Sequence, residues 1–153
     1  MREIIFRGKR MDNGEWVEGY LYEHKPPLVG IVSENDVPEP SQWFIARTGF
    51  ADWNMPRPVE IVEVYPSTVG QYTGLNDKNG KRIFEGDILG SRYDNLYPDD
   101  VAIEVVKWFR NGWCIQQENN LPDALCEYGV LPYSEVIGNI HGKLELLKEE
   151  AQP

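Results

Sequence analysis

Three Asn-Gly pairs, each lying between segments rich in β-branched and aromatic residues, constrain this fold more than any other feature of the sequence. Asn-Gly favours the two-residue turn of a β-hairpin, because both central residues of that turn take a positive φ. The pairs therefore predict three antiparallel hairpins. They lie at residues 13–14, 79–80 and 111–112.

The segments between these turns have the period and composition of strands. Residues 101–109 are rich in β-branched residues, and in residues 16–22 Trp16, Tyr20 and Tyr22 alternate with Val17 and Leu21. Since both faces of that second segment carry apolar groups, we expect it to be covered on both sides or to lie at an interface. Further strands are predicted at residues 28–33, 44–47, 59–65 and 136–140.

Many short strands with glycine-rich turns indicate a mainly β protein, a small antiparallel barrel or sandwich. We expect an N-terminal β lobe over residues 1–65, packed on the core and not independent of it. A barrel-like core follows over residues 66–147, and a short C-terminal helix or tail ends the chain at 148–153.

The amino-acid composition disfavours several classes of binding partner and ligand. The chain has 25 acidic and 15 basic residues, a formal net charge of −10, which disfavours binding to phosphate backbones. The two cysteines and two histidines lack zinc-site spacing, so no metal and no cofactor is expected. No apolar stretch approaches the length of a membrane span, and we expect a cytoplasmic protein without a membrane partner. Cys114 and Cys126 are expected to be free thiols.

The densest run of Gly, Asp, Asn and Glu is "QYTGLNDKNGKRIFEGDIL", residues 71–89. In an extended strand Glu85 and Asp87 would share one face, and paired carboxylates can hold Mg²⁺. The favoured interpretation is structural: Asp87 caps backbone N–H groups, and Gly86 adopts a conformation that other residues resist.

Other catalytic and ligand templates fail on spacing. Lys78 and Lys81 fall where a calcium loop needs oxygen ligands, and the glycines of the segment match no phosphate-binding loop. Cys114 and Cys126 have no setting that would activate a thiol towards His24 or His141. No catalytic residue is therefore assigned. The five tryptophans could stack single-stranded nucleic acid, but core and interface packing is favoured.

The run "PSTVGQYTGLNDKNGKRIFEGDIL", with the later "VIGNIHGKLELL" and the opening "REIIFRGKR" and "WVEGYLY", resembles the YopX family. That resemblance implies a mainly β protein of bacteriophages and prophages that tends to self-associate and has no known biochemical activity. The matching positions are implied as fold markers, and whether any of them binds a ligand stays open. They are Thr73, Gly74, Leu75, Asp77, Gly80, Glu85, Gly86 and Asp87.

These observations favour a non-enzymatic accessory protein that acts through contacts with itself and with a phage or host protein of unknown identity. The first alternative is a nucleic-acid-binding barrel resembling SH3 or OB domains. The second is a metal-dependent hydrolase that uses Glu85 and Asp87.

Overall fold

The computed structural model describes residues 3–26, 40–49, 53–54, 58–93, 97, 99–126 and 131–142, and strands dominate this part of the chain. Among these residues the only helical elements are two single 3₁₀ turns, at Pro66–Thr68 and Leu131–Tyr133. The prediction of a mainly β protein is therefore confirmed. The strands are β1 Phe6–Lys9, β2 Trp16–His24, β3 Gln42–Thr48, β4 Val59–Glu63, β5 Gly70–Asn76, β6 Arg82–Phe84, β7 Asp87–Ser91, β8 Ala102–Phe109, β9 Gly112–Gln116, β10 Asp123–Ala124 and β11 Ser134–Asn139.

The chain divides into two compact units, one of residues 5–69 and the other of residues 1–4 with 70–153. In the first unit four strands lie in the order β4-β3-β2-β1, and every neighbouring pair is antiparallel. One face of this sheet holds the core of the unit, because alternate residues of the strands point to the same side. The core residues are Val17, Ile45, Val62 and Val64, with Leu21, Trp43 and Val69 packed against them.

In the second unit β5 and β6 form a hairpin, and five strands lie antiparallel in the order β10-β9-β8-β7-β11. Within the described residues the strands form open antiparallel sheets, so of the two architectures expected, barrel or sandwich, no closed barrel is present. A closed barrel needs its first and last strands to pair, whereas β10 and β11 are the two ends of the five-strand order. The buried core here is Ile83, Leu89, Val106, Ile115, Leu125 and Leu131.

All three Asn-Gly pairs lie at hairpin turns, but the predicted turn type was wrong. The first loop spans four residues, since Arg10 N donates to Glu15 O (2.9 Å) and only Gly14 of the loop has a positive φ. In the second turn Gly80, at φ 79°, is the only residue with a positive φ. In the third turn the positive φ is at Arg110, and Gly112 already belongs to β9. The Asn-Gly pairs located the turns correctly, but the length of each turn is set by the hydrogen bonds between the residues on either side of it.

The remaining strand predictions match the structure, apart from those that fall outside the described residues. Segments 44–47, 59–65, 101–109 and 136–140 lie in or overlap β3, β4, β8 and β11. The strand predicted at 28–33 and the C-terminal helix or tail lie outside the described residues. Residues 16–22 form part of β2, but one of their faces is exposed, with Tyr20 at 67% and Tyr22 at 56%. For those exposed tyrosines, the expected covering on both sides was wrong.

Gly19 provides a test of how closely β2 and β3 approach. A Cβ added at this position would lie 2.3 Å from the carbonyl oxygen of Ala46, which is backbone and cannot move aside alone. We expect Gly19→Ala to lower the free energy of unfolding by about 1–3 kcal/mol, the usual cost of overpacking. Urea denaturation followed by tryptophan fluorescence measures it.

Gly112→Ala is the matched control, because nothing lies within 4 Å of a Cβ at Gly112, where φ is not positive. The alanine there should be neutral or slightly stabilising, since it restricts the unfolded chain. Equal stability losses in the two variants would contradict the close approach at Gly19.

Candidate functional site

Asp77 organises the central segment by accepting three backbone hydrogen bonds. Its carboxylate is 6% exposed. Oδ1 accepts from Asn79 N and Lys81 N, both at 2.9 Å, and this closes the turn between β5 and β6. Oδ2 accepts from Val136 N of β11, also at 2.9 Å. The carboxylate therefore ties the hairpin turn to a strand 59 residues later in the chain.

Backbone and ion-pair contacts reinforce this attachment of the turn to β11. Lys78 N donates to Ser134 O (3.1 Å), and Lys78 Nζ lies 3.3 Å from the Glu135 carboxylate. Arg92 approaches the same carboxylate to 3.1 Å. The Arg92 guanidinium, followed by the Lys78 ammonium, holds the pKa of Glu135 below its usual value.

Thr73 and Gly74 shape β5. Thr73 is buried, and its Oγ1 donates to Ile83 O (2.9 Å) and accepts from Leu75 N (3.2 Å). Gly74 has a φ of 87°, at the point where the register of β5 on β6 shifts between Tyr72 and Asn76. A positive φ in a bulged strand is a position that glycine occupies with little strain.

Glu85 and Asp87 do not form a carboxylate pair on an extended strand. Glu85 and Gly86 form a turn, with Gly86 at φ 82°. Asp87 follows this turn and is fully buried, and its Oδ2 closes the turn by accepting a hydrogen bond from Phe84 N (2.8 Å). The alternative in which both carboxylates share one face of an extended strand is therefore not the arrangement found, and the favoured interpretation, with Asp87 capping a backbone N–H group and Gly86 at a positive φ, is the one observed. Asp87 serves as a backbone cap, and whether Glu85 or Asp87 binds a ligand stays a prediction.

The backbone of Gly86 joins two strands. Its N–H donates to Val106 O (2.8 Å), and its carbonyl accepts from Ile140 N (2.9 Å). Glu85 is half-buried and lines a cavity of about 410 Å³ with Gln71, Trp108 and Trp113. Among the described residues, no three His, Cys, Asp or Glu side chains gather where they could hold a metal ion, so the hydrolase hypothesis gains no support from this geometry.

The cysteines and histidines considered from sequence have ordinary positions. Cys114 is half-buried in β9, Cys126 is exposed, and neither forms a disulfide bond. His24 ends β2, where its Nδ1 lies 3.4 Å from the Tyr22 hydroxyl, and His141 lies in a turn. No helix in the described part of the chain is long and apolar enough to cross a membrane.

One sheet surface of the first unit is apolar and exposed, and we call it the outer face. It consists of Tyr20 and Tyr22 on β2, Phe44 on β3, and Val59 and Ile61 on β4. In the register Tyr22 pairs with Phe44, and Ala46 lies between Tyr20 and Ile61, so these residues share one side of the sheet. Val59 is 69% exposed and Ile61 is 64% exposed. The alternation in β4 could have indicated this face, but not which of its two sides is the core.

Comparison with known proteins places this geometry in a family. The model of the family described as YopX protein matches residues 6–148. The chain belongs to the YopX family. The resemblance seen in the sequence is thereby confirmed over nearly the whole YopX chain.

The other comparisons concern fold. The crystal structure of protein EF1440 from Enterococcus faecalis is similar to this YopX chain, with 22% sequence identity and a TM-score of 0.53. The match covers 96% of this chain and 99% of that one. At this identity the similarity shows a shared fold alone. No curated protein matches the YopX chain significantly.

A second cluster of polar residues in this YopX protein lies outside the motifs noted in the sequence. Ser91, Ser134 and Glu104 are buried, on β7, β11 and β8. Ser91 Oγ donates to Glu104 Oε2 at 2.7 Å and lies 2.6 Å from Ser134 Oγ, while the Tyr93 hydroxyl donates to the same carboxylate at 2.9 Å. We call these four residues the hydroxyl chain. Only the sheet register brings them together.

The three bonds to Asp77 yield a stability prediction. In Asp77→Asn the side-chain oxygen can still accept within the turn, but its amide would direct a donor at Val136 N–H. We expect a loss of about 2–3 kcal/mol in unfolding free energy, the range for hydrogen bonds to charged groups. Asp99→Asn is the control, since Asp99 is exposed. Equal urea midpoints for the wild type and Asp77→Asn would contradict the role given to the carboxylate.

Tyr93 yields a pH prediction. Burial, with the Glu104 carboxylate beside the hydroxyl, raises the pKa of Tyr93 from 10.0 to about 12. Above pH 10.0 the unfolded chain loses the proton of the Tyr93 hydroxyl, while the folded chain keeps it because its pKa is raised. The contribution of Tyr93 to stability is therefore complete below pH 10 and is lost as pH rises towards 12.

Chemical unfolding across this pH interval, compared between wild type and Tyr93→Phe, measures the effect. The fall in stability should be shallower in Tyr93→Phe, because the phenylalanine has no proton to lose. Parallel stability curves for the two proteins would show that the Tyr93 pKa is not raised.

Proposed function

We propose that this YopX protein is a non-enzymatic accessory protein, encoded by a bacteriophage or prophage, that acts in the bacterial cytoplasm through protein–protein contacts. The observation that carries the proposal is the outer face, where large apolar side chains are exposed on β2 and β4, on either side of the half-buried Phe44 of β3. Contiguous exposed apolar surface is typical of interaction sites. The partner that the geometry favours is a second copy of the chain.

The outer face is complementary to itself. A two-fold axis along β3 would place β2 of one copy over β4 of the other, since these strands lie on either side of β3. Tyr20 and Ile61 both lie level with Ala46 in the register. Each Tyr20 ring would then pack on Ile61 of the other copy. The two-fold axis would repeat this contact, so the interface would contain it twice.

The same axis also satisfies polar groups at the rim. Tyr22 and Glu63 both lie level with Phe44, so the Tyr22 hydroxyl of each copy would face the Glu63 carboxylate of the other. In the single chain this carboxylate accepts a 3.3 Å hydrogen bond from Gln42 Nε2. An apolar centre with a hydrogen-bonded rim is the usual anatomy of a protein interface.

Sedimentation equilibrium tests the proposal. The wild type should associate into dimers as its concentration rises, and Ile61→Glu should be monomeric, because it buries two unpaired carboxylates against tyrosine rings. Tyr97→Glu is the control for an added surface charge, since Tyr97 is exposed and lies outside the outer face.

A double variant makes the test specific to the register. Tyr20→Lys with Ile61→Glu places opposite charges across the proposed two-fold axis, and dimerisation should recover relative to Ile61→Glu alone. A monomeric wild type, or a dimer that Ile61→Glu leaves intact, would exclude this interface.

A second candidate function, nucleic-acid binding, draws on one local observation. Arg7 Cζ lies 4.6 Å and Lys9 Nζ 5.5 Å from the centre of the Trp16 ring, so two cations accompany an aromatic surface. The net charge of −10 opposes it. A filter-binding titration with single- and double-stranded DNA across a range of salt concentrations discriminates, and retention at low salt by a monomeric protein would favour this candidate.

A further inference from the structure

A cavity of about 380 Å³ in the second unit has an acidic and partly apolar lining. Its walls come from β8, β9, β10 and the segments beside them. Glu104 and Asp123 supply two carboxylates to the lining, and among the described residues no lysine, arginine or histidine contributes to it. The lining residues are Tyr93, Glu104, Ile115, Gln117, Asn120, Leu121 and Asp123.

The inner wall of this cavity is the end of the hydroxyl chain. Glu104 is 5% exposed, and within the described part of the chain its partners are two neutral hydroxyl groups, those of Ser91 and Tyr93. Since Ser91 donates its proton to Glu104, the 2.6 Å contact between the serines has Ser134 as the donor. The chain of hydroxyls therefore holds the carboxylate in one orientation.

Hydrogen-bond capacity remains on that carboxylate. A carboxylate offers about four acceptor positions, while Ser91 and Tyr93 bring one proton each. A buried carboxylate is costly without a compensating charge, and no cationic side chain pairs with Glu104 among the described residues. Glu104 is thus a preorganised acceptor with room for further N–H donors.

We propose that this cavity binds an organic cation, an alkylammonium or alkylguanidinium group with a short apolar stem. The N–H groups of the cation donate to Glu104 at the inner wall, and Asp123, which is exposed, adds a second negative charge at the rim. The stem lies against Ile115 and Leu121, which supply the apolar part of the lining. Leu121 is 86% exposed without a ligand, and a bound stem would cover part of it.

The same lining disfavours other classes of ligand. An anion would meet two carboxylates and no cation. A calcium ion takes six to eight oxygen ligands, mostly carboxylates and carbonyls, whereas no three His, Cys, Asp or Glu side chains gather in the described residues. The side-chain oxygen of Gln117 already accepts from Asn120 Nδ2 (2.7 Å), which leaves the carboxylates as the main acceptors.

Titrations of the full chain with n-butylammonium and n-butylguanidinium test the proposal, with n-butyrate as the probe of opposite charge. Binding is followed by NMR through the side-chain amide signals of Gln117 and Asn120. Both cations should give saturable shifts at millimolar concentration, with weaker binding at higher salt, and butyrate should give none. No saturable shift with either cation, or equal shifts with butyrate, would overturn the proposal.

Two variants locate the site. Glu104→Gln keeps the shape of the side chain and should weaken cation binding roughly tenfold or more, as expected when one partner of a buried charged pair is removed. Asp123→Asn should weaken it less, and because Asp123 is exposed this variant tests the cavity even if Glu104→Gln does not fold. Asp99→Asn removes the same charge outside the cavity and should leave affinity unchanged. An equal loss in Asp99→Asn and Asp123→Asn would show that only net charge matters and would overturn the assignment.

A capped arginine dipeptide distinguishes the two sources of such a cation. If it binds as tightly as n-butylguanidinium, the cavity accepts the arginine side chain of a polypeptide. If it fails to bind while n-butylguanidinium binds, the ligand is a free small cation. Both results support the proposed ligand class.

Discussion

The rest of the second unit depends on one buried carboxylate whose charge is directed entirely at the backbone. Asp77 accepts from two N–H groups of its own turn and from Val136 of β11. Buried N–H groups are costly to leave unpaired, and a turn of alternating Lys, Asn and Gly has few other acceptors at hand. The bond to Val136 lies within the part of β11 that pairs with β7, where the register also aligns Ser134 with Ser91.

Two acidic residues of the central segment, residues 71–89, have the same role of accepting backbone hydrogen bonds. Asp87, which the sequence singled out with Glu85 as a candidate ligand, and Asp77 both bind backbone N–H groups. Gly74, Gly80 and Gly86 each have the positive φ that a bulge or turn demands. Such a segment is recognisable across a family because the backbone requires those residue types, whatever the family members bind.

The sequence predicted the strands and turn positions well because these depend on local properties. Period-two alternation located β2 and β4, β-branched composition located β8, and Asn-Gly located three turns. Turn length was missed because it depends on bonds such as Arg10 N to Glu15 O, outside the dipeptide itself. In β4 both Val59 and Val62 are apolar, and only the folded structure shows that Val62 is buried while Val59 is exposed.

The hydroxyl chain was beyond prediction for a related reason. Ser91, Glu104 and Ser134 come from three strands, and nothing in their local sequence distinguishes them from surface residues. A single serine facing inward is unremarkable, and only the register of β7 with β8 and β11 connects Ser91 and Ser134 with Glu104.

The span of the Asp77–Val136 bond has a consequence for the order of events during synthesis. Its two ends are 59 residues apart, so the carboxylate emerges from the ribosome long before its last partner does. Contacts of such high sequence separation form slowly, because the entropy of closing the loop must be overcome first. The hairpin of β5 and β6 can form early, but the unit becomes a single cooperative structure only after β11 has left the exit tunnel.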